Sequence, residues 1–221
     1  DGAARYNGRA WTTVSMPPGC PSNWVNAILS ASDGSLWFGT RGGGVVRFSA
    51  SRWTVYSTAE GLPNAEVLAL AENAALGGGP VVLVGTADGL ARFDGSRFVK
   101  VPLAEGARSV RVYSLFEERE GGAAVLWVGT RDGILRFRAG VWTVFNIAPS
   151  DTPAINPVRG FAITEALGGR RALVAAVTYF GVMRFDGDQW RRVSLDVSAM
   201  GSIQTLLAAR ERDGDALWLG G

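Results

Sequence analysis

Short apolar runs separated by turn residues recur along the whole chain, and residues 62–102 show the pattern most clearly. LPNAEVLALAE opens with turn residues and continues into an apolar run, which ends before a break at Gly77–Gly79 and Pro80. VVLVGTADG and LARFDG each end on an Asp-Gly turn signal, and SRFVKVP completes the segment. Apolar runs of this length, bounded by Gly, Pro, Asn or Asp, are typical of β-strands. The pattern predicts four short strands and no helix.

One phrase occurs five times along the chain with little change. It reads RYNGRAW at Arg5, RFSASRW at Arg47, RFDGSRF at Arg92, RFRAGVW at Arg136 and RFDGDQW at Arg184. The successive arginines are 42, 45, 44 and 48 residues apart. A period of this size indicates a repeat fold, and a repeat of four strands predicts the blades of a β-propeller. Because blades cover each other's faces, their middle strands are continuously apolar, as LWVG and VVLVG are.

The repeat divides the chain into four complete units and two half-units. We predict an all-β protein, with a single propeller domain or propeller fragment over residues 1–221. The predicted units are a half-blade at 1–15, complete blades at 22–58, 63–102, 108–146 and 157–195, and a half-blade at 202–221. If the half-blades meet, they close a five-bladed ring and remove the exposed strand edges. If they do not meet, the chain forms an arc of a larger propeller.

Three segments together resemble the two-component regulator propeller repeat, which occurs in the sensor regions of bacterial hybrid histidine kinases. They are Leu-Trp-Phe-Gly-Thr from Leu36, the RFDG phrase, and GLPNAEVLAL from Gly61. The match extends over essentially the whole chain in four or five copies. It implies a periplasmic or other extracytoplasmic location, a seven-bladed parent propeller, and a non-catalytic sensor whose ligand is an oligosaccharide or other small molecule. It also implies a homodimer formed through the parent sensor, with any kinase activity outside this segment. The resemblance favours the arc over the closed ring.

Composition excludes several other classes of protein. The chain is 47% hydrophobic and 19% charged, which is typical of an ordered core. Its formal net charge is only +2, and the arginines are scattered along the sequence instead of forming a basic stripe, so we expect no nucleic-acid partner. The longest apolar run is far shorter than a membrane span, so we expect no membrane contact by this segment itself.

Catalysis and metal binding are not expected either. The chain has no histidine, which excludes Ser-His-Asp and Cys-His mechanisms as well as histidine metal sites. The carboxylate pairs Glu117-Glu118 and Asp213-Asp215 are predicted to lie at strand ends or in hairpins, where charged residues are ordinarily solvated. No DxDxDG calcium loop occurs. We therefore predict no catalytic residue, no metal and no cofactor.

Most of the eight tryptophans recur at fixed positions of the repeat. Trp37, Trp127 and Trp218 share the second strand of the unit. The end of the repeated phrase carries four more, Trp11, Trp53, Trp142 and Trp190. A position repeated in this way predicts packing between blades. Only Trp24 has no counterpart in the other units.

The positions that vary within this constant frame are the candidates for ligand binding. In propellers, ligands usually contact the face formed by the loop that leads into the innermost strand and the turn that joins the second and third strands. The variable residues predicted for that face are Trp24, Arg41, Glu66, Arg111, Arg131, Arg159 and Tyr179. Aromatic faces and arginine donors suit a sugar or a uronate. Two alternatives stay open: Trp24 fills a gap between blades and Tyr179 caps the core, or the propeller is structural and mediates dimerisation or docking.

Overall fold

A computed structural model describes residues 2–147, 156–195, 201–212 and 214–221. Nearly all of its regular structure is β-strand. The strands are β1 (Ala3–Tyr6), β2 (Trp11–Val14), β3 (Val25–Ser30), β4 (Leu36–Thr40), β5 (Val45–Ser49), β6 (Arg52–Tyr56), β7 (Val67–Asn73), β8 (Val81–Thr86), β9 (Gly89–Phe93), β10 (Phe98–Val101), β11 (Val112–Glu120), β12 (Ala123–Thr130), β13 (Ile134–Arg138), β14 (Val141–Phe145), β15 (Val158–Thr164), β16 (Ala172–Val177), β17 (Gly181–Phe185), β18 (Trp190–Arg192), β19 (Thr205–Glu211) and β20 (Gly214–Gly220). A 3-10 turn, Thr58–Glu60, follows β6. No helix in the described parts of the chain is long and apolar enough to cross a membrane.

The strands form four antiparallel sheets of four strands and two sheets of two strands. Blade 1 is β3–β6, blade 2 is β7–β10, blade 3 is β11–β14 and blade 4 is β15–β18, and each blade is a simple meander. The N-terminal half-blade is β1–β2 and the C-terminal half-blade is β19–β20. First strands of successive blades contact one another, β3 with β7, β7 with β11, β11 with β15, and β15 with β19. These strands are therefore the innermost strands of a propeller, which confirms the predicted fold class.

The propeller is an open arc. Among the described residues, β1 pairs only with β2 and β20 pairs only with β19, so the two half-blades are separate sheets. The arc that the sequence favoured is confirmed, and the alternative of a closed five-bladed ring is wrong. In the described part of the chain, β1 and β20 each have one edge that pairs with no other strand.

Aromatic and aliphatic interfaces alternate along the arc. Between blades 1 and 2, the Trp37 ring lies 5.9 Å from Tyr56, 5.0 Å from Phe93 and 6.1 Å from Phe98. Between blades 2 and 3, the core is formed by aliphatic side chains such as Leu83, which takes the place of the tryptophan. The interface of blades 3 and 4 is aromatic again, with Trp127 packed against Phe145, Phe185 and Trp190. The same position of the second strand is therefore tryptophan in blades 1 and 3 and leucine in blade 2.

The prediction that seven tryptophans pack between blades is only partly right. Trp37, Trp127 and Trp190 are buried, and Trp142 is partly buried against the core between blades 2 and 3. Trp11 is 71% exposed, Trp53 is 37% exposed and Trp218 is 58% exposed. Trp11 and Trp218 lie on the half-blades, and Trp53 lies on the blade 1 face that looks toward the N-terminal half-blade. These three side chains are exposed because the arc supplies no complete blade to cover them.

Asp94 closes the hairpin between β9 and β10 and supports a pH prediction. Its carboxylate accepts hydrogen bonds from the backbone N–H groups of Arg97 and Ser96, both at 2.9 Å, and from the Ser96 hydroxyl at 2.9 Å. These bonds favour the ionised form and lower the pKa of Asp94 from 3.8 to about 2. The ionised carboxylate therefore stabilises the fold above pH 3.8, and this contribution is lost as the pH falls toward 2. An NMR titration of the Asp94 carboxyl should have its midpoint near 2, and Ser96→Ala should raise it; a midpoint near the ordinary value would contradict the turn geometry.

Candidate ligand-binding face

Two kinds of loop meet at one face of each blade: the loop that leads into the innermost strand, and the turn that joins the second and third strands. In every complete blade, a backbone N–H of the turn donates to a carbonyl oxygen of the loop. The four bonds are Arg41 N to Trp24 O (2.8 Å), Ala87 N to Glu66 O (3.0 Å), Arg131 N to Arg111 O (3.2 Å) and Thr178 N to Pro157 O (3.1 Å). The repeat therefore holds the variable side chains at equivalent places around the propeller axis.

Trp24 and Arg41 form the first pair on this face. The Arg41 guanidinium carbon lies 4.9 Å from the centre of the Trp24 ring, which is a cation–π geometry. Trp24 is 57% exposed, so it does not fill a gap between blades. Arg41 also forms a β-bridge with Glu66, and Gly42 N donates to Ala65 O at 3.2 Å. The blade 1 turn is thus fixed against blade 2.

An ion pair joins blades 2 and 3. The Arg111 Nη2 atom lies 2.7 Å from Glu66 Oε1, and both side chains are about one-third exposed. The Asn64 side chain fixes the backbone of Glu66, because its Oδ1 accepts a hydrogen bond from Glu66 N at 2.8 Å. A half-buried pair of this kind orients the guanidinium group more than it stabilises the fold.

Tyr113 and Thr178 continue the contacts into blade 4. The Tyr113 ring lies between two arginines, with guanidinium carbons 5.6 Å away for Arg111 and 4.7 Å away for Arg159. The Arg159 Nε atom donates to Thr178 Oγ1 at 3.1 Å. Thr178 O in turn accepts from Ile203 N of the C-terminal segment at 2.9 Å. Side-chain contacts therefore run from Glu66 across three successive blades.

The structure brings five of the seven predicted residues into contacting pairs or chains: Trp24, Arg41, Glu66, Arg111 and Arg159. Arg131 is exposed and is attached through its backbone to Arg111 O. Tyr179 is 68% exposed beside Thr178, so it does not cap the core. No ion pair of Arg41 or Arg131 occurs within the described residues, which leaves both guanidinium groups available to a ligand.

The predicted set omitted Tyr113 and Thr178. A sequence signal for Tyr113 existed, since it follows Arg111 at the start of an innermost strand. By strand pairing, Thr178 lies one residue after the constant threonine position, which is Thr40, Thr86 and Thr130 in the other blades and Val177 in blade 4. In those blades the hydroxyl donates to a glycine carbonyl within its own turn, at 2.9 Å each time. In blade 4 the Thr178 hydroxyl donates to Pro157 O at 3.2 Å and accepts from Arg159 Nε at 3.1 Å, so a threonine at the variable position makes contacts of its own.

The carboxylates at Glu117 and Glu118 differ from expectation. Both lie in β11, and Glu118 is buried instead of solvated. Glu118 accepts from Trp127 Nε1 at 3.0 Å and from Arg171 Nη1 at 3.1 Å, while Glu117 accepts from Ala74 N at 2.8 Å. These bonds link neighbouring strands and blades. Asp213 of the second carboxylate pair lies outside the described residues, and among those described no three acidic or thiol side chains converge to hold a metal ion.

Comparison with known proteins supports this architecture. Residues 21–42 match the family model described as two component regulator propeller, which confirms the resemblance for that repeat. The extracellular domain of BT4673 from B. thetaiotaomicron superimposes with a TM-score of 0.72 at 22% sequence identity, over 99% of this chain and 29% of that chain. That of BT3049 from the same organism, described as a hybrid two component system, has a TM-score of 0.56 at 17% identity, over 99% of this chain and 37% of that one.

A propeller enzyme is also similar in fold. The GH74 xyloglucanase from Xanthomonas campestris has a TM-score of 0.52 at 22% identity, over 90% of this chain and 28% of that chain. No curated protein gave a significant sequence match. The chain spans less than two-fifths of the length of each of these solved structures. At these identities the likeness establishes the propeller fold.

Proposed function

We propose that this chain is part of the extracytoplasmic sensor region of a bacterial two-component signalling protein and binds an oligosaccharide. The ligand would lie on the face that carries Trp24, Arg41, Arg111, Tyr113 and Arg159. The observation that carries the proposal is that aromatic and arginine side chains contact each other on this one face in successive blades. The regulator-propeller match at residues 21–42 and the two B. thetaiotaomicron extracellular domains support the sensory part.

The chemistry of this face suits a saccharide. Exposed aromatic rings such as Trp24 and Tyr179 offer apolar surface to the C–H face of a sugar ring. Arg41 and Arg131 offer several N–H donors each, in a geometry that matches hydroxyl and carboxylate oxygens. Because both guanidinium groups lack an ion pair among the described residues, a ligand would not first have to displace a protein carboxylate. The free positive charges favour saccharides that carry carboxylate groups.

Titration calorimetry with neutral and uronate-containing oligosaccharides tests this proposal. We expect binding of at least one acidic member, and Arg41→Ala or Trp24→Ala should weaken it about tenfold or more, since a charged hydrogen bond contributes about 1.5–3 kcal/mol. Arg97→Ala is the matched control, because Arg97 is an exposed arginine of the β9–β10 hairpin, away from these loops. Failure of the whole panel to bind to folded protein, or an equal loss with Arg97→Ala, would reject the proposed face.

We also propose that the chain itself does not hydrolyse the ligand. The Glu117 and Glu118 carboxylates are occupied by structural hydrogen bonds, and Glu118 is buried beneath Trp127 and Arg171. A glycosidase needs two carboxyl groups that face the scissile bond. Incubation of the binding oligosaccharides with the protein should therefore leave them intact by chromatography, and release of shorter products would overturn this part of the proposal.

A further inference from the structure

A cavity lies between blades 3 and 4, on the face opposite the candidate ligand-binding face. It lies where the first strand of each blade turns into the second and the third turns into the fourth, and it encloses about 450 Å³. The four hairpins at this end of the two blades, at residues 120–123, 138–141, 164–172 and 185–190, all belong to the described parts of the chain. A volume of this size is within the range of small-molecule sites.

Two arginine–glutamate pairs form part of the cavity wall. The Arg171 Nη1 atom of blade 4 lies 3.1 Å from the Glu118 Oε1 atom of blade 3. The Arg138 Nη1 atom lies 2.9 Å from the Glu120 Oε2 atom. The Glu118 side chain is only 6% exposed, and it also accepts a hydrogen bond from Trp127 Nε1 at 3.0 Å. Each carboxylate therefore has its own cation, and the two pairs add no net charge to the cavity.

A third arginine, Arg136, lines the same cavity and has no carboxylate partner. Its guanidinium carbon lies 5.6 Å from the centres of the Trp127 and Phe145 rings and 5.7 Å from that of Phe185. Its Nε atom is buried without a hydrogen-bond acceptor, and no ion pair of Arg136 occurs within the described residues. Buried N–H groups normally have an acceptor, and buried charges are normally paired. Arg136 therefore gives the cavity an uncompensated positive charge.

The repeat shows which partner an arginine at this position takes. Arg47 of blade 1 lies opposite Trp37 in the strand pairing, as Arg136 lies opposite Trp127. The Arg47 guanidinium carbon lies 5.1 Å from the Trp37 ring, and its Nη2 atom lies 2.9 Å from Asp33 Oδ2. In blade 3 the stacked arginine is present, but the two glutamates of the cavity bind other arginines. The carboxylate that completes the arrangement in blade 1 has no counterpart beside Arg136.

A second buried donor occurs in the same aromatic cluster. Trp190 is 9% exposed, and its ring lies 5.4 Å from Trp127 and 5.3 Å from Phe185. Its Nε1–H group has no acceptor among the described residues. Blade 2 carries Phe98 at this position of the repeat, which has no such donor. Two buried donors around one tryptophan favour a ligand with acceptor oxygens.

We propose that this cavity binds a small organic acid, with the carboxylate of the acid on Arg136. A guanidinium group offers two parallel N–H donors to a carboxylate, and the ligand would take the place that Asp33 has beside Arg47. Leu173 and Phe185 also line the cavity and offer apolar contact to the body of the acid. The site lies on the opposite face from the proposed saccharide site, and it does not depend on saccharide binding.

Titration calorimetry with succinate, citrate and benzoate tests the proposal, with benzamide as the uncharged counterpart of benzoate. We expect at least one carboxylate to bind and benzamide not to bind. Arg136→Met removes the guanidinium group and keeps a long side chain against the aromatic rings, so it should weaken binding about tenfold or more. Arg136→Lys keeps the charge without the planar pair of donors, and its loss of affinity should be smaller.

Two arginine variants serve as controls. Arg92 has the same position of the repeat in blade 2 and lies outside this cavity, so Arg92→Ala should leave carboxylate binding unchanged. Arg41→Ala, which should weaken binding at the candidate ligand-binding face, should also leave it unchanged. Failure of all three carboxylates to bind would overturn the proposal, and so would a loss of affinity with Arg41→Ala that Arg136→Met does not cause. Stronger binding of inorganic phosphate than of every carboxylate would reject the assigned class of ligand.

A measurement on the unchanged chain covers the case in which Arg136→Met does not fold. In ¹⁵N NMR spectra, the Arg136 Nε–H and Trp190 Nε1–H signals should shift as the carboxylate that binds is added, because both donors lie in the aromatic cluster at the cavity. The Trp24 indole signal on the opposite face should not shift. Signals of Arg136 and Trp190 that stay unchanged at saturation would overturn the proposal.

Discussion

Gly129→Ala is expected to lower the free energy of unfolding by about 3 kcal/mol, the cost of overpacking a rigid interior. A Cβ atom on Gly129 would lie 2.7 Å from the Val158 carbonyl oxygen and 2.9 Å from its Cβ atom, and it would collide with the Ser114 hydroxyl. Val158 begins the innermost strand of the next blade, so the collision is between blades. Because one of the contacted atoms belongs to the backbone, no rotamer change can relieve it. Urea denaturation of the wild type and the variant gives the difference directly.

Gly85 offers a matched test of the same explanation. A Cβ atom there would lie 2.5 Å from the Val112 Cγ1 atom and 3.1 Å from its Cβ atom, which are side-chain contacts only. In a double-mutant cycle, Val112→Ala removes the Cγ1 atom, so Gly85→Ala should cost clearly less in that background than in the wild type. An equal cost in both backgrounds would mean that the glycine is needed for a reason other than the approach of the next blade.

The number and type of strands could be predicted from the sequence because the blade pattern is local. Each blade is a meander of neighbouring segments, and every turn carries its own Gly, Asp or Asn signal. The need for a glycine at position 129 could not be predicted in this way, since it arises from the close approach of Val158 in the following blade. The exposure of Trp11 and Trp218 was missed for a related reason: their repeat positions are buried only where a further blade lies beside them.

Part of the ligand-binding face could also be predicted from the sequence. Comparison of the repeats separates variable loop residues from the constant frame, and this is sufficient to place Trp24, Arg41 and Arg159 on one face. The contacts between blades could not be predicted by comparing the repeats. The Glu66–Arg111 pair and the position of Tyr113 between two arginines depend on the rotation from one blade to the next. Whether this face binds a saccharide remains the proposal that calorimetry tests.

The other large effect is expected at Trp127, whose replacement by alanine should lower the free energy of unfolding by about 4 kcal/mol. The Trp127 side chain is fully buried between blades 3 and 4. The Phe185 and Trp190 rings lie 4.9 Å and 5.4 Å from it, and the Arg136 guanidinium carbon lies 5.6 Å from its centre. Loss of the indole would leave a cavity that a rigid pair of sheets cannot close.

Trp127→Phe separates the two contributions of this indole. Phenylalanine keeps most of the apolar contact and loses the Nε1–H group that donates to the buried carboxylate of Glu118 at 3.0 Å. Glu118 retains the Arg171 bond at 3.1 Å, so we expect Trp127→Phe to cost less than Trp127→Ala. Trp24→Ala is the control, because its exposed ring should contribute little to stability. Equal destabilisation by Trp24→Ala and Trp127→Ala in urea would contradict the assignment of Trp127 as the centre of the interface, because only one of the two indoles is enclosed by neighbouring blades.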